Sequence, residues 1–496
     1  MKKIVTTIAA SALATAVYAG GLNTNTNQHA AYQRNFAREA TTDIDAAYSN
    51  PAGTAFMEDG LHIAFTGQCA FQERNIETKY APFKMNGGDS IKKFDGEAIA
   101  PFVPSLQVVY KKNNWAGFFN FAVPGGGGKA TFEEGIPALE KRVASIPLAL
   151  SQNGITTTKY SQEAYLKGQQ MIFGATLGTA YKFNEHFSAS VGVRVCYASN
   201  QYEGYLKNIK INPDGKEMLA NTYFTAAQEK YAGLAKQATD GAAQYEAAGM
   251  TEKAAELKAQ AAQAKAVAEQ MGAYAAATQD IEIDCEQTGI GVAPIVSLDY
   301  KMGPVNLATR YEFKTKISVE NSSNIKPSAA LPNELLPYVD GVESRDDLPA
   351  LWTVGMDCNM TDNIKLCTGY RYYFDKDAHF AGGVEKHVEH GTKEYAYGIE
   401  WTVNKWLLVS GTYMRTEFAF ADAYLNNINY NGSSNNFGMG GRFTINEHLN
   451  IDLAGFFSKY EDREVKINDY AGLGIEGTDN YERKNIAFAL GINYKF

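Results

Sequence analysis

Four arginines are the side chains of this sequence best suited to hold a charged ligand. They lie on the polar faces of segments in which polar and apolar residues alternate: Arg194, Arg310, Arg371 and Arg442. A guanidinium group binds a carboxylate through two parallel hydrogen bonds. The same polar faces carry Asp357, Glu400 and Asp452, with Lys365 near a turn. The arginines therefore have two roles open to them: contact with a ligand, or pairing with these acids in a polar interior.

A histidine pair, His387 and His390, lies beside Glu385 and Glu389. Imidazole and carboxylate groups at such spacing can bind zinc or another divalent ion. The segment lacks the helical pattern that would fix both histidines, so we predict no metal site and no cofactor. The sequence alone does not decide whether His387 and His390 bind a metal ion. The sequence contains no Gly-x-Ser-x-Gly nucleophile motif. We do not expect an enzyme.

A proline and a glycine run follow the segment 115–123: Pro124, Gly125, Gly126, Gly127 and Gly128. Proline cannot donate a ladder hydrogen bond, and glycine weakens a strand. The run predicts a break in the wall of a sheet, with a flexible loop start as the alternative. A phosphate-binding loop is disfavoured because Lys129 is followed by Ala130 and not by serine or threonine.

The elements that position these residues are strands. Along 187–197 the odd-numbered residues are apolar or aromatic, and the even-numbered ones are small or polar. This alternation predicts a strand with one apolar and one polar face. Similar patterns occur at 171–183, 304–313, 364–374, 395–403, 437–445 and 486–496.

The connections alternate between short and long. Short polar turns lie at 111–114, 184–186, 301–304, 361–363, 404–405 and 446–448. Long links occupy 72–98, 124–166, 202–283, 320–348, 375–393, 418–435 and 461–480. Six short turns and seven long loops imply fourteen strands. Short turns at one end, with aromatic residues near them, are typical of an outer-membrane barrel, and a soluble sandwich would not need them.

The composition excludes several classes of protein. The chain has 496 residues, a formal charge of −9, 12% aromatic residues and a mean hydropathy of −0.31. Beyond the N-terminus no apolar run reaches the roughly 18 residues of a transmembrane helix. The acidic charge argues against nucleic-acid binding, and the aromatic content argues against disorder. Five scattered cysteines indicate free thiols and not a disulfide framework.

The N-terminal region divides into two parts. Residues 1–19 resemble a secretory signal peptide, with a basic start, a short apolar stretch and a small-residue cleavage site. Residues 20–60, the hatch, are polar with a helical stretch at about 29–39, and their aromatic residues favour a plug in the lumen over a disordered tail. The barrel follows at 61–496. An insertion at about 205–283 contains two helical segments, 216–247 and 252–279, and 137–151 predicts a shorter helix.

The hatch carries a family resemblance. Asn50-Pro51-Ala52, followed by Gly53, resembles the hatch of the long-chain fatty-acid outer-membrane transporters (FadL-like). The segment from Gly20 to Gln28, with Arg34, Asn35 and Arg38, is similar to one branch of that family. The resemblance covers the whole chain and adds the aromatic C-terminal residue Phe496, which is similar to the signal that such barrels present to the barrel assembly machinery.

The resemblance implies a function and a fold. The fold would be all-β: a fourteen-stranded antiparallel transmembrane β-barrel with an N-terminal hatch plug and a helical extracellular loop, in the outer membrane of a Gram-negative cell. A hydrophobic small molecule, typically a long-chain fatty acid, would bind inside against the hatch and leave sideways into the membrane lipid near the third strand. A monomer is expected. The alternatives are a general porin for small polar solutes, or a surface barrel that binds a partner through residues 216–280.

Overall fold

The fold was analysed in a computed structural model, which describes residues 22–25, 27–326, 338–427, 430–470 and 473–496. The predicted signal peptide, residues 1–19, lies outside the described residues. Within them the chain forms fourteen antiparallel strands: β1 Gly60–Tyr80, β2 Ile91–Lys112, β3 Trp115–Phe132, β4 Tyr160–Lys182, β5 Phe187–Ile211, β6 Ile281–Met302, β7 Val305–Glu312 with Ser318–Ser323, β8 Glu343–Arg345 with Leu351–Asn359, β9 Ile364–Tyr373, β10 Val388–Asn404, β11 Leu407–Phe420, β12 Ser434–Thr444, β13 Leu449–Tyr460 with Arg463–Ile467, and β14 Gly477–Lys495.

The strands close into a barrel. Each pairs with its sequence neighbours, and β14 pairs with β1 from His62 opposite Lys495 to Tyr80 opposite Gly477. All six predicted turns connect neighbouring strands at one end, which we call the turn end, and the opposite end is the loop end. The predicted fourteen-stranded barrel is therefore confirmed. The long links were predicted too wide, because strands such as β1 and β5 continue well past the apolar band, where their outer faces become polar.

The two faces of the wall follow the predicted alternation. On β5, Val191, Val193, Val195 and Tyr197 are exposed on the outside, whereas Arg194 between them is buried inside. Aromatic rings pack against one another near the turn end, where Trp115 lies 4.7 Å from Tyr181 between ring centroids. An apolar outer band with an aromatic girdle is the surface of a barrel that spans an outer membrane.

Five α-helices accompany the strands in the described residues: α1 Ala30–Arg34, α2 Ala46–Ser49, α3 Pro137–Gln152, α4 Ala220–Ala247 and α5 Thr251–Ala277. The last three lie at the loop end, within a residue or a few of the predicted bounds. No helix among the described residues combines the length and apolar character needed to cross a membrane. The α4–α5 hairpin packs through small side chains seven residues apart: Ala254, Ala261, Ala268 and Ala275.

The hatch fills the lumen and is less helical than predicted, since α1 covers only five residues. Glycines on neighbouring strands make room for it. A β-carbon on Gly398 would collide with the Asn35 side chain, and one on Gly369 would collide with Glu39. Gly438 likewise leaves space for the main chain of Gln33. The high glycine content of the sequence therefore serves, in part, the close approach of hatch and wall.

The five cysteines are free thiols. Cys358 and Cys367 belong to one hairpin, but Cys367 stands opposite Asp357 and Cys358 stands opposite Leu366. Because neighbouring residues of a strand point to opposite faces, Cys367 is buried in the lumen while Cys358 lies on the other side of the wall. The two thiols do not meet.

Candidate ligand site between the hatch and the third strand

The wall loses its pairing at the third strand. β2 and β3 pair at Ala98 and Ala130, and pairing resumes only at Leu106 and Phe121. On its other side, β3 shifts register against β4 twice, between Ala122 and Gly125 and between Gly125 and Gly128. Extra residues of this kind bend a strand and leave backbone groups unpaired. The proline–glycine run therefore coincides with a kink in β3 and a gap between β2 and β3.

The hatch takes over the backbone bonds that β3 gives up. The Asn25 N–H donates to the Pro124 carbonyl at 2.8 Å, and the Gly126 N–H donates to the Asn23 carbonyl at 3.4 Å. The Asn25 side chain also donates to the Gly125 carbonyl at 3.0 Å. Gln28 adds a pair of side-chain bonds to the main chain of Val123, at 3.0 and 3.1 Å. Buried backbone groups require such partners, so the kink and the hatch form one unit.

The β2 edge of the gap has its own cause in the sequence. Pro101 and Pro104 lie in the stretch of β2 that does not pair with β3, and neither has an N–H to donate. β2 also shifts register against β1 between Gln68 and Ala70. The sequence reasoning concentrated on Pro124 and missed these two prolines, although two prolines within the strand predicted between residues 98 and 111 were a signal that could have been used.

A small cavity lies in the lumen beside the kink. The hatch supplies one side and the inner wall the other. Its lining combines three tyrosine rings, a few aliphatic side chains and several polar groups: Thr24, Asn25, Asn27, Tyr32, Glu39, Tyr48, Ser49, Pro124, Arg194, Arg310, Glu312, Leu348, Pro349, Leu351, Thr353, Arg371 and Tyr373. Pockets for small organic molecules combine apolar surface with placed polar groups, and here more than half of the lining residues are polar.

Three of the four predicted arginines line this cavity, and each already has protein partners. Arg194 forms an ion pair with Glu312, and Arg310 donates to the Tyr48 carbonyl at 2.5 Å. Both guanidinium groups also stack on the Tyr48 ring, at 5.1 and 5.5 Å. The sequence reasoning missed Glu312, although its spacing of two from Arg310 places it on the same face.

The third arginine of the cavity joins the hatch to two strands. Arg371 contacts Glu39 of the hatch at 2.5 Å and Glu394 of β10 at 3.0 Å, and it stacks over Tyr32 at 5.1 Å. The fourth predicted arginine, Arg442, lies outside the cavity lining, where it pairs with Asp43 of the hatch and with Asp452 at 3.0 Å.

Two further arginines come from the hatch itself. Arg34 contacts Glu400 at 2.6 Å and Asp452 at 3.1 Å, and Arg38 contacts Asp45 at 2.7 Å and Glu400 at 3.2 Å. Of the inward acids predicted from alternation, Glu400 and Asp452 therefore bind the hatch, whereas Asp357 lies 3.9 Å from Lys365 of the wall. A buried pair of this kind is strongly destabilised when one partner is removed, so the ion pairs hold the hatch in place.

The Asn-Pro-Ala motif anchors the other end of the hatch. The Asn50 side chain donates to the Thr41 carbonyl at 3.0 Å and to the Asp299 carboxylate of β6. The Ala52 N–H donates to the Ser297 hydroxyl at 2.8 Å, and the Ser188 hydroxyl donates to the Ala52 carbonyl at 2.8 Å. The motif thus makes its polar contacts with β5 and β6.

The start of the hatch is tied to the loop end. The Leu22 N–H donates to the Asp375 carboxylate at 3.1 Å, and the Thr392 N–H donates to the same group at 2.8 Å. Burial raises the pKa of Asp375 to about 6. The nearby histidine pair is not drawn together by a third ligand. Within the part of the chain that the structure describes, no three histidine, cysteine, aspartate or glutamate side chains are grouped to hold a metal ion.

Comparison with known proteins gives matches of fold. No family model and no curated protein matches the sequence. A Pseudomonas aeruginosa FadL homologue matches with a TM-score of 0.60 and 14% identity over 96% of this chain and 100% of that one. The P. putida toluene transporter TodX matches with a TM-score of 0.51 and 13% identity over 92% and 95% of the two chains. A TodX mutant described as a monoaromatic hydrocarbon channel matches at 0.54 and 14%, over 95% and 99%.

These likenesses span almost the whole length of the chain. The chain therefore has the fold of the FadL-like outer-membrane barrels.

Proposed function

We propose that this protein is an outer-membrane transporter that takes up hydrophobic compounds, with long-chain fatty acids as the substrate. The ligand occupies the cavity between the hatch and β3, and it leaves sideways into the membrane through the gap between β2 and β3. The observation that carries the proposal is the replacement of β2 by the hatch as the partner of β3, because it places a lumenal cavity next to an unpaired stretch of wall.

The chemistry of the lining supports this assignment. The cavity offers tyrosine rings and the aliphatic side chains of Leu348 and Leu351, and its arginines are neutralised by glutamates. Such a lining suits the apolar part of a ligand. Two proteins with the same fold, a FadL homologue and a toluene transporter, add support for a hydrophobic substrate and for a role without catalysis.

The hatch argues against a general porin. It fills the lumen through at least four arginine–carboxylate contacts with the wall, made by Arg34, Arg38, Arg371 and Arg442. A porin needs an open water-filled channel.

The test is uptake of labelled oleate by cells that carry the full chain or a variant with a filled cavity. Thr353 lines the cavity. Thr353→Trp should reduce uptake by about 10-fold or more, because the indole ring would fill the space in which the ligand is buried. Thr309 lies on the neighbouring strand with its side chain on the outer face, and Thr309→Trp is the matched control.

Uptake that is equal in the two variants would contradict the proposal. Planar-bilayer recordings supply a second readout, since the intact protein should carry no large steady ion current. A large current would identify a porin. Absence of oleate uptake by the intact protein would favour a surface barrel.

A further inference from the structure

One buried arginine of the lumen differs from most of the others. Arg483 lies on β14 and is 4% exposed. Its side chain points into the lumen, because Ile486 and Phe488, at positions of the opposite parity on the same strand, point outward. Six other buried arginines each lie within 4.0 Å of a carboxylate: Arg34, Arg38, Arg194, Arg310, Arg371 and Arg442. Among the described residues Arg483 has no such carboxylate. A buried charge without a counter-ion is costly, so this position needs an explanation.

The hydrogen bonds of Arg483 leave one side of its guanidinium group open. Nη1 donates to the Asn431 side-chain oxygen at 2.8 Å. Nε and Nη2 are buried and have no hydrogen-bond partner within the described residues. These two nitrogens form one edge of the planar group, and their N–H bonds point in parallel. A carboxylate takes two parallel hydrogen bonds from that kind of edge.

The surroundings of this edge favour an anion. Arg74 stands directly opposite Arg483 in the register of β1 and β14, so two positive charges share this part of the lumen. The Arg483 guanidinium stacks on the Tyr460 ring at 4.4 Å, and that of Arg74 stacks on Tyr430 at 4.6 Å. The hydroxyl groups of both tyrosines are buried and have no hydrogen-bond partner among the described residues.

More polar atoms of the same cluster are left over. The side-chain oxygen of Asn431 accepts a hydrogen bond from Arg483, but the side-chain nitrogen of Asn431 has no partner in the described chain. The side-chain nitrogen of Asn485, two residues from Arg483 on the same face, has none there either. A buried donor left without a partner destabilises the folded protein. Proteins keep such groups where a ligand satisfies them.

We propose that Arg483 binds the carboxylate group of an organic anion, with Arg74 as the second positive charge, in the loop-end half of the lumen. The flat open edge and the two flanking rings suit a planar monoanion better than a tetrahedral one. The site is separate from the cavity at the third strand, whose arginines are neutralised. It does not depend on the transport function proposed above. The carboxylate comes either from an amphiphile or from a small free acid.

The test is direct binding to the purified full-length protein in a neutral detergent. The probes are decanoate, decanol and acetate, measured by calorimetry. We expect decanoate to bind the wild type and Arg483→Gln to weaken it by about 10-fold or more, since hydrogen bonds to charged groups are the strong ones. Decanol binding should not change. Arg415→Gln is the matched control, because Arg415 lies on the outer side of β11 in an exposed ion pair with Glu461.

Decanoate binding that is unchanged in Arg483→Gln, or an equal loss for decanol, would overturn the proposal. Arg483→Lys provides a second variant that keeps the charge and lacks the two-donor edge, and it should also weaken decanoate. Wild-type affinity in that variant would overturn the bidentate contact. Displacement of decanoate by acetate supports a site for small free acids, and its absence supports an amphiphile. If the wild-type protein binds decanoate but takes up no oleate, only the transport function is rejected.

Discussion

Asn25 of the hatch pairs with β3 at Pro124, where β2 does not: its main-chain N–H donates to the Pro124 carbonyl at 2.8 Å. Its side chain adds bonds to the Val123 and Gly125 carbonyls. The hatch is thus part of the wall at the point where the wall is interrupted. This contact connects the plug to the region through which a ligand would leave.

The Asn25 side chain should control how firmly the hatch holds the kink. Asn25→Ala removes two hydrogen bonds to buried carbonyls, and we expect a local loss of about 1–2 kcal/mol. Hydrogen exchange of the Gly126 amide, followed by mass spectrometry, measures it. Exchange should become faster there and stay unchanged elsewhere. Asn153→Ala, in an exposed turn, is the control, and equal effects of the two variants would refute the assignment.

The glycines opposite the hatch should tolerate no side chain. Gly398→Ala places a methyl group on the Asn35 side chain, and overpacking of this kind costs about 1–3 kcal/mol. Gly411 on the next strand has no atom within 4 Å of the added carbon, so Gly411→Ala should be nearly neutral. Thermal unfolding, read from the mobility shift of the heated barrel in electrophoresis, compares the two. Equal melting temperatures would show that the hatch does not pack as described.

Arg371 should contribute to stability far more than an exposed arginine. Arg371→Met leaves Glu39 and Glu394 buried without their cation, and breaking such a pair costs about 3–5 kcal/mol. Arg415→Met breaks an exposed pair with Glu461, worth about 0–1 kcal/mol. Denaturant unfolding in detergent gives both values. A loss below that of the control would mean that the hatch is not held by Arg371.

Asp375 should make the contact between the hatch start and the loop end depend on pH. Its pKa is raised from 3.8 to about 6, so the folded protein binds a proton more tightly than the unfolded chain does. Stability from this group is therefore present below about pH 4 and is lost as the pH rises through 6, by about 3 kcal/mol in total.

The measurement is the melting temperature between pH 4 and pH 8 for the wild type and Asp375→Asn. The variant carries no titrating group at this position, so its slope across pH 4 to 6 should be smaller. Asp422, at the surface of a neighbouring loop, supplies the control variant Asp422→Asn. A slope that stays the same in Asp375→Asn would contradict the assignment.

The sequence predicted the regular parts of this structure and not the contacts between them. Alternating polarity predicted the strands, the turns and the inward side of Arg194. It did so because, across the membrane, one face of each strand contacts lipid and the other faces the lumen. The outer face becomes polar where the strands leave the apolar band, so the long loops were drawn too wide. The same alternation, followed back along the strand from Phe488, also places Arg483 in the lumen.

The packing of the hatch could not be predicted in the same way. Glu39 meets Arg371 and Gly369 only because the chain enters the lumen and turns there, and no local pattern encodes that path. The Asn-Pro-Ala motif indicated a hatch through resemblance, whereas its partners Ser188 and Ser297 are distant in sequence. Contacts of this range depend on the closed barrel.

Photolabelling of the full-length protein in lipid vesicles with a diazirine-bearing long-chain fatty acid tests most directly where the ligand binds. We expect labels on cavity residues such as Tyr48, Leu348 and Leu351, and competition by excess oleate should remove them. Labels confined to outward-facing residues such as Val193 and Met439, and insensitive to oleate, would contradict it.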